Sequence, residues 1–199
     1  MLLQQTVRVA QPGERYRVVD TITSAFESDP AARWMYPDQK QYHRFFPALI
    51  DALGGRAIEQ GAAYVAEGFS GAAMWLPPGI NPDEDAIMNL VGTTVDASLK
   101  EAAFTMFEYM GHYHPHEPHW YLPLIGVTPS HQGSGVGGLL LDYALARCDR
   151  DGVPAYLEAT SRRSVPLYRR HGFEPIAVID AGAGAPPIVP MIRRPINSR

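Results

Sequence analysis

A glycine-rich run between an apolar stretch and a helical pattern is the feature that most constrains this chain. The apolar stretch extends from Trp120 to Val127, and the run 132–138 holds four glycines just before the helical pattern. A strand, a glycine turn and a helix in this order place free backbone N–H groups at a helix N-terminus, where the helix dipole favours negative charge. Glycine also allows a positive φ and a close approach by an anion. The run therefore predicts a phosphate-binding turn.

Three phosphate-binding patterns can be compared with this run. A P-loop needs Lys followed by Ser or Thr after its last glycine, and here a leucine follows Gly138. The spacing over 133–138 fits a dinucleotide-binding fingerprint by count, but no βαβ unit with an acidic ribose partner follows it. The third is a pyrophosphate-binding pattern, and the residues Gln132-x-x-Gly135-x-Gly137 fit it better than the run fits the other two. An ordinary strand-to-helix turn without a ligand is the alternative.

A second motif follows about thirty residues later. After a predicted strand over 153–160, a short helical stretch ends in Tyr168-Arg-Arg-His-Gly172-Phe173. Gly172 suits the left-handed residue that ends many helices. Together the two motifs resemble the signatures of the GNAT superfamily of N-acetyltransferases. In that superfamily the glycine turn holds the pyrophosphate of acetyl-coenzyme A (acetyl-CoA), and the tyrosine lies beside its sulfur.

Within that superfamily the chain is most similar to puromycin N-acetyltransferase-like proteins. The similarity is dense from about 117 to 175 and is also present in the hairpin-like stretch 66–75. Those proteins carry Asn at the position of Ser164, which keeps a hydroxyl but lacks the amide's paired donor and acceptor. We expect this exchange to alter a hydrogen bond to the coenzyme or to the local backbone.

The resemblance implies an α/β (α+β) fold with a mixed central sheet, flanking helices and splayed middle strands over 119–127 and 153–160. It implies a single N-acetyltransferase domain over 1–199, with acetyl-CoA as co-substrate in the gap between those strands. The residues expected to contact acetyl-CoA belong to the first strand, the turn and the later motif: Ile125, Gly126, Val127, Gln132, Gly133, Ser134, Gly135, Val136, Gly137, Gly138, Ser164 and Tyr168.

Acetyl transfer to an amine needs a base, an oxyanion donor and an acid. The resemblance implies Tyr168 as the acid, and a phenol with a pKa of roughly 10 is neutral near pH 7 and can donate to a thiolate whose thiol has a pKa of about 8.5. It also implies the backbone N–H of Val127 as the oxyanion donor. His119, which titrates in the right range, and Glu158, on the neighbouring strand, are the candidate bases. The alternatives are a solvated loop histidine, a carboxylate bonded within the sheet, and capture of an unprotonated amine without a base.

Four histidines stand close together at 112, 114, 116 and 119. In an extended segment the first three would lie on one side, and imidazole suits zinc, copper or nickel. No second ligand cluster accompanies them, so we expect this segment to shape the acceptor entrance and to bind no structural metal. A histidine-rich metal-binding protein is one alternative function, and an acyl-CoA-binding regulatory or interaction module without turnover is another.

The acceptor is expected to be a small-molecule amine, such as an antibiotic or a metabolite. Asp29, Asp38 and Glu108 are predicted to attract a cationic amine, which suits a small molecule better than a basic protein tail. Aromatic residues and methionines are frequent in the same regions. Some are expected to line the acceptor pocket and others to pack in the hydrophobic core: Trp34, Met35, Tyr36, Phe107, Tyr109, Met110 and Tyr113.

Composition bounds the remaining possibilities. A chain of 199 residues, 46% of them hydrophobic, suits one domain with a full core. A net charge of −4 without a basic tract disfavours nucleic-acid binding. The lone Cys148 suggests a structural thiol in a reducing compartment. Because no apolar run resembles a signal peptide or reaches the length of a membrane span, we expect a cytoplasmic location. We also expect a monomer or homodimer. Residues 197–199 are expected to be loose.

Hydrophobic periodicity and turn residues predict the other elements. One or two helices are expected over 83–110, split near Gly92. The other predictions are an edge strand at 7–10, helices at 14–27, 38–53, 135–150 and 163–171, a hairpin of 62–67 with 72–77, and final antiparallel strands at 173–178 and 188–192.

Overall fold

The computed structural model describes residues 6–196, so the prediction for 197–199 lies outside the described residues. The strands are β1 Val7–Val9, β2 Ala63–Ala66, β3 Gly71–Leu76, β4 Trp120–Val127, β5 Ala155–Ala159, β6 Glu174–Pro175 and β7 Val189–Arg193. The helices are α1 Arg15–Ala25, α2 Pro30–Met35, α3 Gln39–Gly54, α4 Arg56–Glu59, α5 Glu84–Thr94, α6 Lys100–Tyr113, α7 Val136–Asp151 and α8 Val165–Arg170.

The strands form one mixed sheet in the order β1-β2-β3-β4-β5-β7-β6. Neighbouring strands are antiparallel except for β4 and β5, which are parallel and joined by the crossover helix α7. The β4–β5 pairing stops after Leu122 and Leu157, although both strands continue. The two strands therefore part at their C-terminal ends, and both the predicted fold class and the predicted splay are confirmed.

Helices cover both faces of the sheet. Residues of α1, α2, α3, α5 and α6 form one hydrophobic core with the first face, and residues of α7 and α8 form a second core with the other. Tyr121 and Tyr156 are partners in the β4–β5 register and face the first core. Glu158 lies two residues beyond Tyr156, so its side chain points to the same face. The sequence alternation along β5 thus places a carboxylate on the face covered by α6.

Some local features differ from the predictions. Helix α2 was not predicted; it begins directly after Asp29, which caps it through the N–H groups of Ala31 and Ala32. The helix predicted over 38–53 is present as α3, which ends at Gly54, and a short helix α4 that was not predicted follows it. The helical region 83–110 is interrupted at 95–99 rather than near Gly92.

The histidine-rich segment also differs from its prediction. His112 belongs to the last turn of α6, which ends at Tyr113. An extended arrangement with His112, His114 and His116 on one side is therefore wrong. Among residues 6–196, no helix combines the length and the apolar character needed to cross a membrane.

Candidate active site

The gap between β4 and β5 holds a cavity of about 460 Å³, here called the turn cavity. Its walls are the segment 25–30 between α1 and α2, the end of β4, the glycine turn, and the segment from Thr160 to α8. All the residues predicted to contact acetyl-CoA line it except Ser134, whose hydroxyl and N–H both bond to the carbonyl of His131 inside the turn. The geometry thus brings together residues from two separate motifs.

The glycine turn leaves its backbone open toward this cavity. Gly133 and Gly135 have φ values of 78° and 89°, and a Cβ atom added at either would meet no atom within 4 Å. Helix α7 begins at Val136 with no side-chain cap, so the N–H groups of its first turn are available to a ligand. A diphosphate group fits this cradle, because the donors converge and the helix dipole is positive there.

The edge of β4 supplies further backbone groups. The N–H of Thr128 donates to the carbonyl of Ser70 at 2.9 Å, on the β3 side. Because the direction of backbone groups alternates along a strand, the N–H and C=O of Val127 face the gap on the β5 side. The Val127 carbonyl accepts a hydrogen bond from Gln132 Nε2 at 3.2 Å, which ties the turn to the strand. The Val127 N–H remains directed into the gap.

Positive charge lines the turn cavity. Arg163 and Arg170 are both on its wall, and Asp29 is the single carboxylate among its described lining residues. Guanidinium groups form strong hydrogen bonds to phosphate. These arginines were not among the predicted site residues, although their spacing of seven residues places them on one side of the α8 region.

Tyr168 is buried at the inner wall of the turn cavity, against the edge of the Phe173 ring. Burial raises the pKa of Tyr168 to about 12, so its phenol stays protonated across the neutral range. Ser164 donates its hydroxyl to the carbonyl of Ser161 at 2.7 Å and thereby closes the turn before α8. Ser164 was predicted to change a hydrogen bond either to the coenzyme or to the local backbone, and the structure shows a hydrogen bond to the local backbone.

A second cavity of about 660 Å³, here called the acidic cavity, lies between α5, α6 and the first face of the sheet. Its apolar wall includes Met88, Phe104 and Phe107. Its carboxylates are Glu84, Glu108 and Glu158, and no Lys or Arg is among the described residues that line it. Such a lining favours a cation with an apolar body.

The predicted pocket residues divide between this cavity and the core. Phe107, Met110 and Glu108 line the acidic cavity, whereas Tyr36 is fully buried in the core. Trp34 donates its indole N–H to the carbonyl of Ala183 at 3.1 Å.

Asp29 and Asp38, which were predicted to attract a cationic amine, already have other partners. Asp38 caps α3 through the N–H of Gln41. Asp29 caps α2 with one carboxylate oxygen and accepts the hydroxyl of Thr160 at 2.6 Å with the other. Asp29 therefore straps the α1–α2 loop to the end of β5.

Glu158 lies where the two cavities approach each other. A small void of about 60 Å³ between them shares Phe26, Asp29 and Thr160 with the turn cavity, and it shares Tyr121 and Glu158 with the acidic cavity. The Glu158 side chain is only 3% exposed. A group held in one cavity would thus meet a group held in the other close to this carboxylate.

Both candidate bases belong to one chain of contacts. His119 Nδ1 lies 2.8 Å from the carbonyl oxygen of Glu117, and its Nε2 lies 2.9 Å from His114 Nε2. His114 Nδ1 lies 3.9 Å from Glu158 Oε1. Burial lowers the pKa of His119. His114 was considered only as one histidine of a possible metal-binding segment. Its contact with Glu158 could not be predicted, because it depends on where α6 ends.

Two further expectations concern metals and thiols. Within residues 6–196, no three His, Cys, Asp or Glu side chains are grouped so as to hold a metal ion. Cys148 is buried in α7, and burial raises the pKa of its thiol to about 12. The thiol is therefore neutral near pH 7, which agrees with the prediction of a structural cysteine.

Comparison with known proteins points to one superfamily. The sequence model of the acetyltransferase (GNAT) family matches residues 90–173. An uncharacterized N-acetyltransferase of Schizosaccharomyces pombe is 24% identical over 169 residues, which make up 77% of this chain and 68% of that protein.

Solved structures extend the likeness over nearly the whole chain. A crystal structure described as histone acetyltransferase HPA2 and related acetyltransferase, from Corynebacterium glutamicum, has a TM-score of 0.70 at 27% identity and covers 98% of each chain. The mosquito arylalkylamine N-acetyltransferase like 5b has a TM-score of 0.64 at 18% identity, covering 96% of this chain and 100% of its own. The match over residues 90–173 and the shared fold make this chain similar to acetyltransferases of the GNAT superfamily.

Proposed function

We propose that the protein is an acetyl-CoA-dependent N-acetyltransferase that acetylates the amine of a small molecule. The observation that carries this proposal is the pairing of two cavities of opposite charge that approach each other at Glu158. The basic, glycine-lined cavity suits a phosphorylated donor, and the acidic, apolar cavity suits a cationic acceptor. We propose that residues 1–199 act as a single acetyltransferase domain.

The donor side of the proposal depends on the backbone. The turn 132–138 and the first N–H groups of α7 would hold the pyrophosphate, with Arg163 and Arg170 adding positive charge. Proteins of the GNAT family generally use acetyl-CoA. When bound, acetyl-CoA supplies an activated acetyl group on a thiol leaving group.

Three groups of this chain would act on the reacting atoms. Glu158 takes a proton from the acceptor amine, because its carboxylate lies on the wall of the acidic cavity nearest the gap. The N–H of Val127 donates to the oxygen that gains negative charge. Tyr168 donates its phenolic proton toward the departing sulfur. With a pKa of about 12, the phenol keeps that proton through the working pH range.

The acceptor class follows from the acidic cavity and from the resemblances. A mosquito protein of the same fold is named for arylalkylamines, and the apolar and carboxylate walls of the acidic cavity suit an amine with an apolar body. The resemblance to puromycin N-acetyltransferase-like proteins makes an aminated antibiotic or metabolite the first acceptor to test. A cytoplasmic location and a monomeric or homodimeric state complete the proposal.

An amine-library screen tests this function. Purified protein, acetyl-CoA and an amine panel should give acetylated products by mass spectrometry, with stoichiometric release of free thiol. The matched control is the Glu158→Gln variant, which should bind acetyl-CoA but form little product. Tight binding of acetyl-CoA without acetylation of any amine would instead support a binding module without turnover.

A further inference from the structure

The reaction proposed above leaves one proton to be disposed of. An alkylammonium acceptor has three N–H protons, and its amide product has one. The nitrogen lone pair forms the new C–N bond, the C–S bond breaks with its electron pair on sulfur, and sulfur takes one of the two protons lost. The second must leave the site, although the Glu158 carboxylate that receives it is almost fully buried.

We infer that His114 and His119 form a relay that carries this second proton from Glu158 to the protein surface. The inference rests on the proposed acetyltransferase function and assigns a role to His114, which lines the acidic cavity. Three consecutive contacts, at 3.9, 2.9 and 2.8 Å, join Glu158 to His114, His114 to His119, and His119 to the carbonyl of Glu117.

For neutral histidine rings, the hydrogen-bond pattern assigns the nitrogens that carry protons. A carbonyl oxygen only accepts, so the His119 Nδ1 facing Glu117 carries the hydrogen. Neutral His119 then has a lone pair on Nε2 and accepts a hydrogen bond from His114 Nε2. A neutral His114 that donates from Nε2 has a bare Nδ1, and this is the nitrogen that faces Glu158. The pair is therefore set to receive a proton at the end nearest the carboxylate.

The protons gained and lost along the relay balance, with water as the final acceptor. Glu158, once protonated by the acceptor, gives its proton to His114 Nδ1, and His114 gives its own Nε2 proton to His119 Nε2. The carboxylate is thereby reset as a base, and the partly exposed His119 ring releases one proton to water. His114 regains its starting tautomer when its hydrogen returns from Nδ1 to Nε2 by exchange with water. The 3.9 Å step requires a closer approach or one bridging water, as is common before substrate binds.

The surroundings of the relay are mostly aromatic or neutral. The rings of Tyr121 and Tyr156 pack edge-on against His114 at 4.7 and 4.9 Å between centroids. The Tyr156 hydroxyl is buried and has no hydrogen-bond partner among the described residues. The charged and titratable groups nearby are Glu117, whose carboxylate is paired with Arg194, and Glu108 and His116 on the wall of the acidic cavity.

The test compares acceptors that differ in their own basicity. A strongly basic amine enters protonated and must release a net proton, whereas an amine that is neutral at the assay pH releases none. At pH 7.5, His114→Gln should lower kcat for a basic amine by at least tenfold, within the range usual for proton-transfer groups, and lower it far less for a weakly basic amine. KM should change little in both cases.

Two further variants separate the relay from a structural role. Added imidazole should restore His114→Ala for the basic amine, and His119→Gln should reproduce the basicity-dependent loss. The control His112→Gln changes an exposed histidine of α6 outside the relay and should behave as wild type. Equal losses for both amines, or no loss in His114→Gln, would overturn the relay while leaving the function intact. A wild-type protein that acetylates neither amine would overturn both.

Discussion

The turn cavity and the acidic cavity are built in different ways. The phosphate-facing wall of the turn cavity is made of backbone, from a strand edge, a glycine turn and a helix N-terminus that all lie within residues 125–138, and the segments 25–30 and 160–170 complete its lining. The acidic cavity is made of side chains from segments as far apart as Leu53 and Glu158. A backbone site is specified by conformation and tolerates few sequences. A side-chain site can change its chemistry while the fold stays the same.

The charges of the two cavities divide their tasks. Arg163 and Arg170 line the first, and Glu84, Glu108 and Glu158 line the second. If this division is correct, substitutions in the turn cavity should act on donor binding. Substitutions in the acidic cavity should act on the acceptor, and those at the boundary between them should act on the chemical step.

The largest effect is expected at the boundary. Glu158→Gln keeps the shape of the buried side chain but removes the base, so kcat should fall by roughly a hundredfold to ten-thousandfold. The affinity for acetyl-CoA should be unchanged, because Glu158 is not among the residues that line the turn cavity. Steady-state kinetics and calorimetry on the same preparation measure the two quantities. Full turnover in the variant would exclude Glu158 as the base.

Tyr168→Phe should have the next largest effect, about a hundredfold on kcat, with coenzyme binding nearly unchanged. The phenyl ring preserves the packing against Phe173. Since burial raises the Tyr168 pKa to about 12, ionisation of this phenol should not reduce wild-type turnover below about pH 11. Turnover in Tyr168→Phe that equals wild type, under conditions where chemistry limits the rate, would show that the tyrosine is structural.

The same contrast explains what could be predicted from the sequence. The turn and the Tyr168 motif are local patterns, and the family resemblance that they carry predicted both the splayed strands and eleven of the residues that line the turn cavity. Ser134, also predicted to contact the coenzyme, is not among the residues that line the cavity, and its hydroxyl donates to the carbonyl of His131.

The acidic cavity has no comparable local pattern. The position of His114 beside Glu158 depends on α6 ending at Tyr113 and on the register of β4 with β5. The contact between His114 and Glu158 is decided by tertiary packing between distant segments, which neither periodicity nor composition encodes. Asp38 differs, because it was predicted to attract an amine but caps α3 through a residue only three positions away.

Gly135→Val tests the backbone nature of the turn cavity and should weaken acetyl-CoA binding at least tenfold. A β-branched residue is strained at a φ of 89° and would shift the turn that presents its N–H groups. Gly61→Val is the matched control, because Gly61 also has a positive φ, 59°, and open space around it but lies outside the turn cavity. Both variants should lose stability, whereas only Gly135→Val should lose affinity in calorimetry. Equal affinities in the two variants would contradict the cradle.

The smallest effect is expected at the mouth of the acidic cavity. Glu108 is exposed, so water screens its attraction for a cationic acceptor, and Glu108→Gln should raise KM by only a few fold. Because a screened charge acts over about 8 Å at physiological ionic strength, the increase should shrink as salt is added. The increase in KM should also be smaller for an acceptor that is neutral at the assay pH.

Glu101→Gln, on the same helix but outside the cavity, is the control and should leave KM unchanged. A KM in Glu108→Gln that rises equally for charged and neutral acceptors would mean that Glu108 shapes the entrance without selecting charge, and the division of charge between the two cavities would then rest on Glu84 and Glu158.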